Sequence, residues 1–308
     1  GGVEEQTARL QDWIETLRGS PIALMPDVAN RQHSEQLVEF FRALLGPHLK
    51  YSSGYWPPGV NCLADAEAPA LELVCRRAQI RDKQSILDLG CGWGSFSLYA
   101  ASRYPSSRIM AVSNSKTQAE WIRSEARRRG LSNIEVETAD INSFDTAWRF
   151  DRIVSIEMLE HVRNYETLFG RLSDWGREKA LLFVHIFCHQ SAAYPFEASG
   201  ATEWMAREFI SGGQMPSADL LLYFQDHWKI LEHWALSGMH YAKTCRGWLN
   251  HLDGERKWML GIFAGVNGAR MARQEVARWR LFLLSCEEIF AYQRGCEWFA
   301  RQLLFRKR

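Results

Sequence analysis

The sequence has no run of about 18 apolar residues, the length that a membrane-spanning helix needs, so no membrane span is expected. It has almost no net charge: 37 basic residues against 36 acidic ones leave +1. That balance gives no global pull toward nucleic acid or a bilayer, and no nucleic-acid partner is expected. It has no Cys-x-x-Cys pair, and its seven cysteines are scattered and odd in number. A reducing, cytoplasmic setting fits that usage better than a disulfide framework does. There is no internal repeat, no low-complexity segment and no linker between independent domains. Gly1-Gly2-Val3 lacks an initiator Met and resembles the scar of a cleaved tag, so it is set aside in reading the fold. What is present is a chain of 308 residues, 46% of them apolar. That suits one large domain, or one domain with a sizeable insertion. Tryptophan is abundant, at 13 residues, which serves either core packing or an aromatic pocket for an apolar or cationic substrate.

Apolar spacing predicts helices over 4–50. Leu10, Trp13, Ile14 and Leu17 recur at three and four, and Leu37, Phe40, Phe41, Leu44 and Leu45 repeat the pattern. Tyr51-Ser52-Ser53-Gly54-Tyr55-Trp56-Pro57-Pro58-Gly59 breaks it as a loop, and Glu67 to Ile80 reads as another helix. From Ser85 the period changes. Strands are expected at Ser85–Leu89, Arg108–Ser113, Ile134–Thr138, Arg152–Ile156 and Ala180–Phe187. Helices are expected between them at about Ser95–Arg103, Ser115–Arg129 (with Gly130 as its C-cap) and Tyr165–Trp175. Such alternation argues for an α/β fold, a parallel sheet with helices on both faces. Residues 196–296 read as mostly helical and Trp-rich, and Arg301–Arg306 as a closing strand. The division is therefore an N-terminal helical cap and loop over 1–80, then a nucleoside-binding domain over 81–308 with a helical insertion at about 196–296.

Gly90, Gly92 and Gly94 follow the first strand, at the sheet edge where doubly wound folds bind ligands. Glycines alone do not choose among NAD, S-adenosylmethionine (SAM) and plain packing. Asp88, two residues before the loop, suits a ligand carrying an ammonium and repels a pyrophosphate. A dinucleotide fold wants an acid at the end of the second strand, and Ala111-Val112-Ser113-Asn114 has none. The third strand ends in Asp140-Ile141-Asn142, where an acid or amide takes an adenine amino group and Ile141 packs on the ring. The cofactor expected is SAM, leaving S-adenosylhomocysteine.

With these motifs in place, the chain resembles the cyclopropane fatty acid synthase family of methyltransferases, and within it the plant coclaurine and pavine N-methyltransferase group. The resemblance runs from Tyr51 to Lys307. It rests on Tyr51-Ser52-Ser53-Gly54-Tyr55, Asp88 to Gly94, Glu157-Met158-Leu159-Glu160-His161, Phe183-Val184-His185-Ile186, Leu220 to Asp226 and Gly238-Met239-His240-Tyr241-Ala242, with Gly295-Cys296-Glu297-Trp298 adding least. It implies a class I methyltransferase fold, a Rossmann-like sheet with an N-terminal helical cap and a helical insertion before the last strand. By position it implies SAM contacts from Tyr51 and Ser52, from Gly90 with the rest of its loop, from Ser113, Asn114 and Gln118, from Asp140, Ile141 and Asn142, and from Ile156.

Glu157, Glu160 and His161 follow the fourth strand at i, i+3 and i+4, so one helical turn would put them on one face beside the loop expected to carry the methyl. Resemblance makes the matching Glu and His residues the catalytic set. An ammonium has no lone pair, so amine methylation needs a base, and the ordinary pKa of His161 suits that role. A Glu would attract the cationic amine and orient the imidazole. His185 on the fifth strand is a further catalytic candidate. Cys188 and His189 follow it, but no third ligand is evident and no metal is expected. The synthases hold a bicarbonate as base at positions matching Ser53, Glu160, His185, Phe187 and Tyr241. Two of these depart from the synthase pattern: Ser53 stands for a Cys and Phe187 for an Ile. Glu157 replaces a small residue, and a carboxylate is costly beside an alkene yet useful beside a cation. The expected acceptor is a small aromatic or alkaloid-like amine in a pocket walled by Ser53, Tyr55, Trp56, Trp93, Phe187, Tyr194, Trp204, Phe209 and Tyr241. Tyr194-Pro195-Phe196 and the 197–204 loop depart from the plant group and leave room for a different amine. Methylation of an unsaturated lipid and non-catalytic SAM binding are the alternatives, the latter opposed by the intact Glu157, Glu160, His161 set. The oligomeric state stays open, a homodimer included.

Overall fold

The computed structural model describes residues 2–24, 38–196 and 204–308. Leu37 and most of the 197–204 loop therefore lie outside the described residues. Among the described residues of the N-terminal part stand the helices α1 (Val3–Arg18) and α2 (Val38–Leu44), and α3 (Leu63–Arg77) leads into the sheet. Then strand and helix alternate: β1 (Ser85–Leu89), α4 (Ser95–Arg103), β2 (Arg108–Ser113), α5 (Lys116–Arg128), β3 (Ile134–Thr138), β4 (Phe150–Ile156), α6 (Tyr165–Trp175) and β5 (Gly176–His189). The helix starts are written locally. Ser115 caps α5 by accepting from the Gln118 amide, and Asn164 caps α6 by accepting from the Thr167 amide, each satisfying an otherwise orphaned donor. β1 and β5 read as continuous apolar runs because both faces of these strands are covered by helices.

After β5 come β6 (Tyr194–Pro195), the short α7 (Trp204–Glu208), β7 (Gln214–Met215), β8 (Trp228–Leu236), α8 (Gly238–Gly254), the long α9 (Arg256–Ala291, interrupted at Gly268) and β9 (Trp298–Lys307). The main sheet runs β3-β2-β1-β4-β5-β9-β8. β1 to β5 are parallel, and β9 is antiparallel to both β5 and β8. This is the class I methyltransferase sheet. One expectation needs correcting: β8 lies inside the stretch read as mostly helical. It is the sheet's edge strand, and most of its residues are exposed or half-buried, so it lacks the apolar run that announces a buried strand.

The order reverses between β1 and β4, and that switch point opens a crevice at the carboxyl ends of the strands. The insertion roofs it. Phe40, Phe41 and Leu44 of α2 share one buried cluster with Trp248 of α8, Phe263 and Trp279 of α9, and Trp93 of the glycine loop. The cap thus buries its apolar face against the insertion rather than in a core of its own. Among the described residues no helix is long and apolar enough to cross a membrane.

Candidate active site

A cavity of about 760 Å³ fills the crevice. One end is lined by Gly90, Gly92, Ser113, Asn114, Gln118, Ile141 and Ile156, the other by Glu157, Glu160, His161, Phe187, Tyr194, Trp204 and Tyr241, with Tyr51, Ser52, Asp88 and Trp93 between.

The nucleoside end is shaped by backbone. The Gly90 and Cys91 amides both donate to the Val112 carbonyl, folding the loop over the end of β2. Gly90 has φ +78°, and a Cβ there would stand 2.4 Å from Cγ of Met158, so only glycine fits. Asp88 is buried at the end of β1 with Oδ2 accepting from Ser97 Oγ, and burial pushes its carboxyl up to about 7 despite that bond. A cationic amino group is the partner that would recover this desolvation cost. Beyond it, Leu89, Val112, Ala139 and Ile141 make an apolar slot. An ammonium-bearing amino acid joined to a flat nucleoside fits these groups, which is the chemistry of SAM.

Three residues expected at this end lie elsewhere. Gly94 is absent from the lining; at φ +80° its Cα packs against Ile122 of α5, 2.6 Å from where a Cβ would stand. Asp140 and Asn142 also stand off the cavity. Asp140 Oδ1 accepts from the backbone and side-chain N–H of Asn142, a local turn of the kind Asp favours. Asn142 in turn clasps Ala23, accepting from its amide at 3.0 Å and donating to its carbonyl at 3.1 Å. Ala23 joins the lining, and no feature of the sequence announced it.

The cap loop is anchored from below. Glu67 accepts from the amides of Gly46, His48 and Lys50. Lys50 is buried, its Nζ donating to Ser52 Oγ at 2.5 Å and the Ser53 carbonyl at 2.7 Å. It lines the cavity too, yet a lone lysine beside a motif reads as a solvated side chain in the sequence.

At the reacting end the helical-face expectation gives way to a tighter turn. Glu157 sits at φ +49°, a strained conformation for a non-glycine residue, and only Leu159–His161 form a short 3-10 turn. Glu157, Glu160 and His161 still reach one cavity, but with three different environments. The Glu157 carboxylate accepts from the Ser53 amide (2.9 Å) and the Tyr241 hydroxyl (2.7 Å), and lies 3.3 Å from His185 Nε2. Burial opposes its charge, but His185, Lys50 and the Ser53 amide outweigh that and hold it below the usual carboxylate value. Glu160 Oε1 accepts from the Phe187 amide at 2.7 Å, while Oε2 is buried without a hydrogen-bond partner. Burial, then the neighbouring Glu157, push its carboxyl well above the ordinary range. Burial lowers His161 to about 4, so the ordinary imidazole value assumed for it does not hold.

His185 stands behind Glu157 and does not line the cavity. His189 is occupied by Glu297 at 2.8 Å, and among the described residues no group of three His, Cys, Asp or Glu could hold a metal ion. Four more expectations fall outside the lining. Ser53 offers its amide to Glu157 and turns its hydroxyl to the Gly54 carbonyl. Tyr55 packs on His240, Trp56 donates to Thr244 Oγ1, and Phe209 stacks on Phe282 with ring centroids 4.0 Å apart. Of the 13 tryptophans only Trp93, Trp204, Trp248 and Trp298 face the cavity. Phe196, Phe290 and Trp298 complete the aromatic wall, though none of the three was expected in it.

Fold and site together define a SAM-dependent methyltransferase. The chain belongs to the mycolic acid cyclopropane synthetase family, whose pattern it matches over residues 26–295. It is 40% identical to (S)-coclaurine N-methyltransferase of Thalictrum flavum subsp. glaucum over 99% of this chain and 86% of the relative. Pavine N-methyltransferase of the same plant is 33% identical over 99% and 86%. A coclaurine N-methyltransferase crystal structure bound to N-methylheliamine and SAH superposes with a TM-score of 0.96 at 39% identity, over 99% of this chain and 89% of that one. A mycolic acid cyclopropane synthase with SAH and CTAB shares the fold, with a TM-score of 0.77 at 22% identity over 92% and 99%.

Proposed function

We propose that the protein methylates the nitrogen of a small, alkaloid-like aromatic amine in a reducing, cytoplasmic setting, with Glu160 taking the proton that the amine must lose. Free thiols at all seven cysteines agree with that setting. Glu157 carries the choice of acceptor. Ser53, His185 and Tyr241 match positions that hold bicarbonate in the synthases the chain resembles, and here all three surround the Glu157 carboxylate. A carboxylate fixed there attracts an incoming cation, whereas beside an apolar alkene its burial is costly. The relatives' acceptors agree in class, because coclaurine and pavine are amines.

SAM supplies an electrophilic methyl; the chain's own residues supply alignment, water exclusion and a proton acceptor. Glu157, saturated with donors, stays charged and draws the ammonium in. Glu160 has one free oxygen, and its raised pKa makes its carboxylate a stronger base than an ordinary one. The ammonium N–H bond breaks and its proton passes to Glu160; the freed lone pair forms the N–CH3 bond as the bond from that methyl to the sulfonium sulfur breaks, which leaves S-adenosylhomocysteine. His161, neutral at working pH, is too weak a base to hold the proton. Phe187, Tyr194, Trp204 and the Tyr241–Phe290 stack, 4.1 Å between centroids, flank the aromatic body.

An assay with SAM over tetrahydroisoquinolines, arylalkylamines and unsaturated phospholipid tests the reading. Amine turnover is expected, and turnover of lipid alone overturns it. SAM binding with no conversion to S-adenosylhomocysteine under any acceptor would mark non-catalytic binding instead. Glu160→Gln should lower kcat by about 10²- to 10⁴-fold with SAM affinity little changed. Equal loss in His161→Ala with none in Glu160→Gln would return the base to His161.

A further inference from the structure

One row of side chains crosses three strands of the sheet directly behind Glu157. His185 of β5 pairs in register with Gln302 of β9, and Gln302 with Trp234 of β8. His185 and Gln302 are almost completely buried. Arg77 of α3 lies over the Trp234 ring, 4.7 Å from its centroid, and its guanidinium donates to Gln302 Oε1 at 2.5 Å. Gln302 Nε2 is 2.9 Å from His185 Nδ1. A guanidinium has only donors, so it accepts no other face of the amide than the oxygen. That leaves the NH2 group toward His185, and an NH2 group only donates. Nδ1 must therefore carry the lone pair. The neutral ring then has its one proton on Nε2, the nitrogen that stands 3.3 Å from Oε1 of Glu157.

We propose that Gln302, oriented by Arg77, is a positioning residue that locks His185 in its Nε2–H form, so that Glu157 meets an N–H rather than a lone pair on that side and stays charged and fixed. The opposite tautomer would turn a lone pair toward the carboxylate and push Glu157 off its place beside the ammonium. Arg77 is set from outside: the aromatic face of Trp234 holds its plane, and Glu232 supports its charge against burial and Arg76. The charged groups that act on His185 are Glu157, which favours the imidazolium, and Lys50 and Arg77, which oppose it together with burial. The role of Gln302 rests on Glu157 as the anion of the amine site, but the tautomer itself is read without any acceptor.

The test is 15N–1H correlation spectroscopy of the full chain labelled with [15N]histidine, with His185→Gln assigning the ring. In the native chain, His185 is expected to show a protonated Nε2 and an unprotonated Nδ1 from about pH 6 to 8. An Nδ1–H or mixed ring overturns the proposal. Gln302→Glu presents an acceptor to Nδ1 and should move the proton there, lowering kcat about 10- to 100-fold while KM for SAM stays within about twofold. Arg77→Met frees the amide to rotate and should give a mixed ring with a smaller kcat loss. Native-like ring signals and kcat in both variants overturn the positioning role. Loss of amine turnover in the native chain, with the Nε2–H ring intact, would sink the amine reading and leave the tautomer standing.

Discussion

Asp88, Glu160 and His161 face one cavity, and desolvation shifts each away from its charged form. For Asp88 the sign is readable in binding. Its carboxyl titrates near 7, so it is ionised above that pH and neutral below, and only the ionised form attracts an ammonium. SAM affinity should fall about tenfold from about pH 8 to 6, the ratio of ionised fractions for such a group. Isothermal titration should show this fall in the native chain and lose it in Asp88→Asn, which binds weakly throughout. At Glu160 the same burial raises the basicity of the carboxylate, and at His161 it lowers that of the imidazole. The sequence named all three residues and misjudged the imidazole, because a pKa is a property of surroundings rather than of residue type.

Among the elements, the strand-helix alternation from β1 to β5 was legible because each strand is a short apolar run and each helix has its cap beside it. β8 was not, since an edge strand shows one partner and much solvent. The turn after β4 was half-legible: the residues were right, but the strained Glu157 backbone is held by the Glu157 amide donating to the His185 carbonyl of β5, a contact between strands. The β3–β4 connection holds a similar surprise, with Asn142 clasping the N-terminal segment at Ala23 rather than standing in the pocket. Asn142→Ala removes both bonds and should cost about 1–3 kcal/mol. Differential scanning calorimetry should register that loss, and hydrogen exchange should rise first around Ala23. Unchanged exchange there would deny the clasp.

Across the whole molecule, the cap and the insertion close the cavity together through a shared aromatic core. Trp279 of α9 lies against Phe40 and Phe41 of α2, with ring centroids 4.8 and 5.9 Å away, and against Phe209 at 5.1 Å. It is completely buried and does not line the cavity. Trp279→Ala should destabilise the chain by about 3–5 kcal/mol, measured by chemical denaturation. It should also raise KM for both substrates, because the roof that excludes water loosens while the acid pair stays in place. A stability loss with both KM values unchanged would show that the cap does not gate the site.

The sequence alone determined the sheet's parallel half, the nucleoside edge and the identity of the acidic set, since glycine turns, helix caps and apolar period are encoded within a few residues. Only the tertiary structure decided what those residues do. Ser53 and Tyr241 reach Glu157 across 104 and 84 positions of chain, and Gln302 reaches His185 across 117. Which carboxylate is saturated and which is open, and where each proton rests, follows from those long-range donors and from the burial they share.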